Sequence, residues 1–217
     1  MTDIFQLQYA LDTFYFLVCG AFVMWMAAGF SMLEAGLVRS KNTTEILTKN
    51  VSLFAIACTM YMVCGYAIMY GGDTFLSGIS GDGVADDWTY APAADFYFQV
   101  VFVATAMSIV SGAVAERMRL IPFFIFAVVM TGFIYPVQGY WKWGGGWLDA
   151  IGYTDFAGSG VVHLCGASAA LAAVLILGAR SGKYGADGSV TVMRGSNIPI
   201  AALGAFILWL GWFGFNG

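Results

Sequence analysis

The chain has 217 residues, 60% of them hydrophobic and 10% charged, with a mean hydropathy of +0.78. A soluble domain carries about 25% charged residues, so the composition excludes one and indicates an integral membrane protein. The net charge of −4 names no partner, because the charges sort by side of the membrane, and no nucleic-acid partner is expected.

The chain opens on MTDIFQLQYALD, which is acidic and has no basic stretch, so no cleavable signal peptide is expected. Six uncharged segments follow, near Thr13–Leu33, Val51–Tyr70, Phe96–Ala115, Leu120–Tyr140, Phe156–Ala179 and Ile198–Gly217. Each approaches the roughly 20 residues that carry a helix across the hydrocarbon. None alternates as a membrane strand does. The fold expected is therefore an all-α membrane bundle of six helices in one unit, since no long polar linker divides the chain.

The loops after the first, third and fifth segments hold Arg39, Lys41, Lys49, Arg117, Arg119, Arg180, Lys183 and Arg194, and the other side holds Lys142 alone. Basic residues favour the cytoplasmic side. This places the N-terminus outside a multi-pass protein of the cell membrane. The outer loop after the second segment carries Asp73, Asp82, Asp86, Asp87 and Asp95. An acidic face concentrates cations, although keeping a loop soluble is the plainer role.

Glu34 lies one turn inside Arg39. A buried carboxylate needs donors or a cation, so a structural anchor is expected, by pairing with a neighbouring helix or by capping a helix N-terminus at the cytoplasmic end. In the third segment Phe98 and Phe102, four residues apart, share a helix face. Ring faces attract cations and also block passages, and a packing pair fits the spacing equally well. Gly112, Ala113 and Ala115 offer a small surface for helix contact, and Glu116 and Arg117 mark the inner interface. Pro136 should kink or end the fourth segment. In WKWGGGWLDAIGYTD, Trp141, Trp143 and Trp147 read first as an interfacial belt. The triple glycine implies a specific backbone path that could position Trp143.

Asp155 is a good N-cap for the fifth segment. His163, the sole histidine, lies within it. An ionisable group at membrane depth is a functional candidate. The small residues GASAALAA follow, suited to close packing in a bundle interior. Asn197 and Pro199 open the sixth segment in a capping pattern. Cys19, Cys58, Cys64 and Cys165 sit in apolar runs without CxxC spacing. They read as packing residues, with neither metal site nor redox pair expected.

ERMR after the third segment, WGGG before the fifth, DFAGSGVVH at its start and GWFGFN in the sixth resemble the ammonium transporter family (Amt/Mep/Rh). The resemblance runs across the whole chain. It implies an eleven-helix transporter built as inverted repeats. Residues 1–180 would form the first repeat and 195–217 the start of the second. It implies a homotrimer with one pore per subunit, no cofactor and no enzymatic activity. By motif, Trp143 matches the tryptophan of an outer vestibule that recruits ammonium. Phe102 and Phe215 match its two gate phenylalanines, and Phe98 the vestibule wall. Asp155 matches the aspartate that orders the backbone beneath the site, and His163 the first of two pore histidines. The second histidine and the vestibule hydroxyl belong to segments absent from this chain. A fragment is therefore expected, unable to conduct alone. A cytoplasmic nitrogen-signalling protein is a further implied partner, and an ammonium-sensing membrane domain is the alternative function.

Overall fold

The computed structural model describes residues 3–77, 79 and 90–217. Asp82, Asp86 and Asp87 of the acidic loop lie outside the described residues. Among the described residues, six helices are long and apolar enough to cross a membrane: Ile4–Leu37, Ser40–Tyr70, Pro92–Val114, Leu120–Ala150, Ser159–Leu177 and Ile198–Phe215, hereafter spans one to six. Helix is the form an apolar segment takes in hydrocarbon, because it satisfies every backbone polar group internally.

Span three is the most buried of the six. It packs against spans one, two and five. Val103, Ala106, Met107 and Val110 are fully buried on it. Span one runs along span six, and small residues bring the two backbones together. A methyl group on Gly29 would lie 2.9 Å from Leu208 N and 3.0 Å from Gly204 O. Span six starts as its sequence indicates: Asn197 Oδ1 accepts from Ile200 N at 3.1 Å, and a proline occupies the first turn. The loop before it is tied to the end of span one by Ser196 N donating to Val38 O (2.7 Å) and Asn197 N to Gly36 O (3.1 Å).

Several expectations need correction. Spans one and two begin well before Thr13 and Val51. Lys49 is therefore no loop cation: it lies in the helix Thr43–Met60, 5% exposed. It meets Glu34, itself 4% exposed, at 3.3 Å and donates to Ser111 O at 2.8 Å. Ser111 Oγ (2.8 Å) and Asn50 Nδ2 (3.2 Å) also donate to Glu34 Oε2. The anchor expected of Glu34 is thus a four-residue knot across spans one, two and three. Asp95 likewise belongs to the first turn of span three rather than to a loop.

Pro136 does not end span four. The helix Leu120–Val129 passes through a π turn, Met130–Ile134, and continues as Tyr135–Lys142 with Pro136 in its first turn. The wider turn accommodates a residue that cannot donate. Span two makes its own π turn, Tyr61–Gly65, and Gly65 abuts Pro136 there. The small-residue run of span five is only half covered. Gly166 sits against Ala106 O and Ile109, whereas Ala167, Ser168 and Ala172 are exposed.

The far end of span three from Asp95 closes on Glu116, which is held in the left-handed region (φ 60°). Its carboxylate accepts from Arg39 N (3.1 Å), Arg39 Nε (3.0 Å) and the Asn42 amide, and pairs with Arg180 at 3.0 Å. These contacts join the ends of spans one, three and five. Burial pushes the Glu116 carboxyl up, but the Asn42 and Arg39 hydrogen bonds and the Arg180 charge outweigh it. The group titrates below the ordinary glutamate range.

Candidate functional site

At the opposite end the chain between spans four and five builds a cradle. Asp155 is 7% exposed. Its Oδ1 accepts from Gly158 N (2.9 Å) and Ser159 N (2.8 Å), and its Oδ2 from Gly160 N and Val161 N (both 2.8 Å). These are the N–H groups that a helix start leaves without partners. The N-cap position itself falls to Gly158 at φ 94°, so Asp155 caps from three residues earlier. Only glycine adopts that φ without cost. A side chain there would also strike the Trp143 ring. Trp143 ends the helix Tyr135–Lys142 and donates from Nε1 to Asp155 O at 2.8 Å. One residue thus fixes both the start of span five and the indole.

Span five then opens with a π turn, Ser159–Leu164, in which His163 N and Val162 N share Gly158 O as acceptor (3.1 and 2.8 Å). The His163 ring contacts the same carbonyl through Nδ1 at 3.4 Å. Gln138 Nε2 donates to Val161 O at 2.7 Å and holds this turn from span four. Sequence reasoning passed over Gln138, because an amide one turn from Trp143 carries no recognisable spacing.

The aromatic candidates form a continuous series of rings. Phe98 and Phe102 meet edge to face at 4.7 Å between centroids. Phe102 meets Trp143 at 6.0 Å and Phe215 at 4.5 Å, and Phe215 meets His163 at 5.0 Å. Trp212, also unanticipated, stands 5.1 Å from His163 and stacks on Phe215 at 5.3 Å. Phe98, Phe102, Trp143 and Phe215 line a cavity of about 540 Å³, with Phe16 and Tyr90 stacked at its rim (4.2 Å). His163 does not line it and lies beyond Phe215. The sequence candidates are therefore all brought together, Asp155 behind the wall and His163 below the rings. A larger cavity of about 770 Å³ opens between spans four and five, walled mostly by apolar side chains such as Phe126, Leu164 and Ile176. It offers no charged group to an ion. Among the described residues no three His, Cys, Asp or Glu side chains gather as metal ligands would.

Ring faces attract a cation by their quadrupole, most strongly tryptophan. The cavity can therefore hold a small cation, and His163, half-buried, lies on the other side of the Phe215 ring.

A family model described as Ammonium Transporter Family matches residues 14–217. Ammonium transporter Amt2 of Archaeoglobus fulgidus is 43% identical over 218 residues, covering 95% of this chain and 47% of that protein. Ammonium transporter Amt1 of Methanocaldococcus jannaschii is 39% identical over 207 residues, covering 95% and 51%. A solved structure named Sensor Amt Protein superposes with a TM-score of 0.90 at 33% identity, covering 97% of this chain and 55% of that one. The chain spans about half the length of the curated relatives it matches.

Proposed function

Because this chain belongs to the ammonium transporter family, we propose that it supplies half of a pore passing ammonium or ammonia across the cell membrane. The observation that carries this reading is the ring series Trp143–Phe102–Phe215–His163 below a cavity of about 540 Å³. The cavity is the outer vestibule and the N-terminus lies outside. Ammonium is drawn to the Trp143, Phe98 and Phe102 rings. Phe102 and Phe215 gate the way inward.

A bare ion crosses an apolar bore only at high cost. The cation therefore gives up one proton, and neutral ammonia passes the gate. The proton follows a separate route on which His163 accepts and releases it, and ammonia regains a proton on the far side. Potassium has the size of ammonium but no proton to give, which is the basis of selectivity. Asp155 acts from behind, by ordering the turn that carries His163 and by holding Trp143.

The remainder of the pore comes from a second repeat beginning near residue 195, inverted against residues 1–180, with three copies in the assembled transporter. The Glu116 end faces the cytoplasm, where a nitrogen-signalling protein would dock. The decisive test is current across supported bilayers holding the full-length protein. His163→Ala should abolish ammonium-driven current, and unchanged current would defeat the proton role.

The structure named Sensor Amt Protein favours a second reading, an ammonium-sensing membrane domain. A full-length protein that binds ammonium yet moves none into proteoliposomes would select it.

A further inference from the structure

Among the described residues, three buried or half-buried carboxylates have their compensation in view. Asp155 has four backbone N–H groups, Glu34 has Lys49, and Glu116 has Arg39 and Arg180. Asp95 has neither a cation nor a backbone cradle among the described residues.

Asp95 sits in the first turn of span three, where the helix dipole favours an acid. That explains a carboxylate at this position but not its orientation. The hydrogen bonds it accepts run sideways, from Tyr66 Oη at 2.6 Å and, one turn on, from Gln99 Nε2 at 3.5 Å. None comes from the free N–H groups of its own helix. Both partners donate, as partners of an ionised carboxylate do. Two neutral donors leave a half-buried charge undercompensated.

Asp95 and Gln99 both line the cavity that holds Phe98, Phe102 and Trp143, and no Lys or Arg lines it. Gln99 Oε1 is a buried acceptor to which no group among the described residues donates. An unmet buried acceptor calls for a donor. The wall thus presents an unneutralised carboxylate beside aromatic faces, with an unmet acceptor buried in the lining residue one helical turn away.

We propose that Asp95 and Gln99 form a second cation subsite in this cavity, distinct from the Trp143 ring face, that takes a small cation carrying its own N–H donors. Ammonium has that chemistry: its charge answers the carboxylate, and its N–H groups serve both acceptors once the Gln99 amide turns toward the cavity. A quaternary ammonium ion brings charge without donors and fits less well. The proposal rests on the reading that the cavity admits ammonium, and it makes Asp95 and Gln99 determinants of affinity rather than of passage.

The test is calorimetric titration of the full-length protein in detergent with ammonium chloride, at ionic strength fixed by choline chloride. Asp95→Asn should weaken ammonium binding about tenfold, Gln99→Met about threefold, and Asp95→Glu should return it to within about threefold of the unaltered protein. Unchanged binding in Asp95→Asn overturns the proposal, as does absence of binding in the unaltered protein. If Asp95→Asn fails to fold, Gln99→Met decides, and unchanged binding there overturns it equally. Ammonium uptake into proteoliposomes separates the two ideas. Uptake by a protein whose binding ignores Asp95→Asn sinks the subsite alone. Binding that Asp95→Asn weakens, without any uptake, sinks transport alone.

Discussion

At the aromatic end the carboxylate of Asp155 is held by four neutral backbone N–H groups. At the charged end those of Glu34 and Glu116 are held by lysine and arginine. The two arrangements solve one desolvation problem with opposite consequences. Backbone donors fix geometry without adding a charged side chain, and no Lys or Arg lines the neighbouring cavity. Side-chain cations cancel the charge outright and clamp three helix ends together. The difference separates the end at which we propose that an ion is received from the end at which the bundle is clamped.

The sharpest way to break the comparison is at the charged end. Lys49→Met leaves the buried Glu34 with only neutral donors, Ser111 and Asn50. Losing one partner of a buried pair costs about 3–5 kcal/mol, so the full-length protein in detergent should melt much earlier. The double change Lys49→Met, Glu34→Leu should recover most of that loss, since an apolar pair of similar volume is often tolerated. A double variant no better than the single one would mean that the knot contributes more than charge compensation.

At the aromatic end, Asp155→Asn keeps the shape but turns an amide NH₂ toward two N–H donors. Stranding those donors should cost roughly 2–4 kcal/mol. It should also release Trp143, visible as a shifted tryptophan emission. Lost stability with unmoved emission would detach Trp143 from the cradle.

The smallest effect expected is a pH dependence at Glu116. Its carboxyl titrates below the ordinary range in the folded protein. The stability it contributes is therefore complete above the ordinary glutamate value of about 4.3 and fades as pH falls through the lower folded value. The melting difference between the unaltered protein and Glu116→Gln should be full at neutral pH and shrink below about pH 4. A difference that grows on acidification would reverse the assignment.

The six spans were legible because hydrophobic length alone marks them. The cluster of Trp143, Phe102, Phe215 and His163 was legible only through motif resemblance, since rings from spans three, four, five and six meet by tertiary packing that no spacing encodes. Lys49 was misread because a lone lysine near a predicted helix end counts as a loop cation until its partner, Glu34 on another helix, is seen. Asp95 was hidden in the same way among loop aspartates. Gln138 and Trp212 carried no pattern at all; their roles come from where the chain turns.

Those turns carry a last consequence. Each π turn, at Tyr61–Gly65, Met130–Ile134 and Ser159–Leu164, lodges one residue more than an α-helical turn holds. Everything beyond it is rotated by about 100°, the angle of a single helical step. A substitution-tolerance map of span four should thus obey one helical phase up to Val129 and a displaced phase from Tyr135. Deleting one residue inside Met130–Ile134 would restore a plain helix while swinging Gln138 away from Val161. The extra residue acts as an angular offset built into the helix, which lets one continuous element show different faces at its two ends.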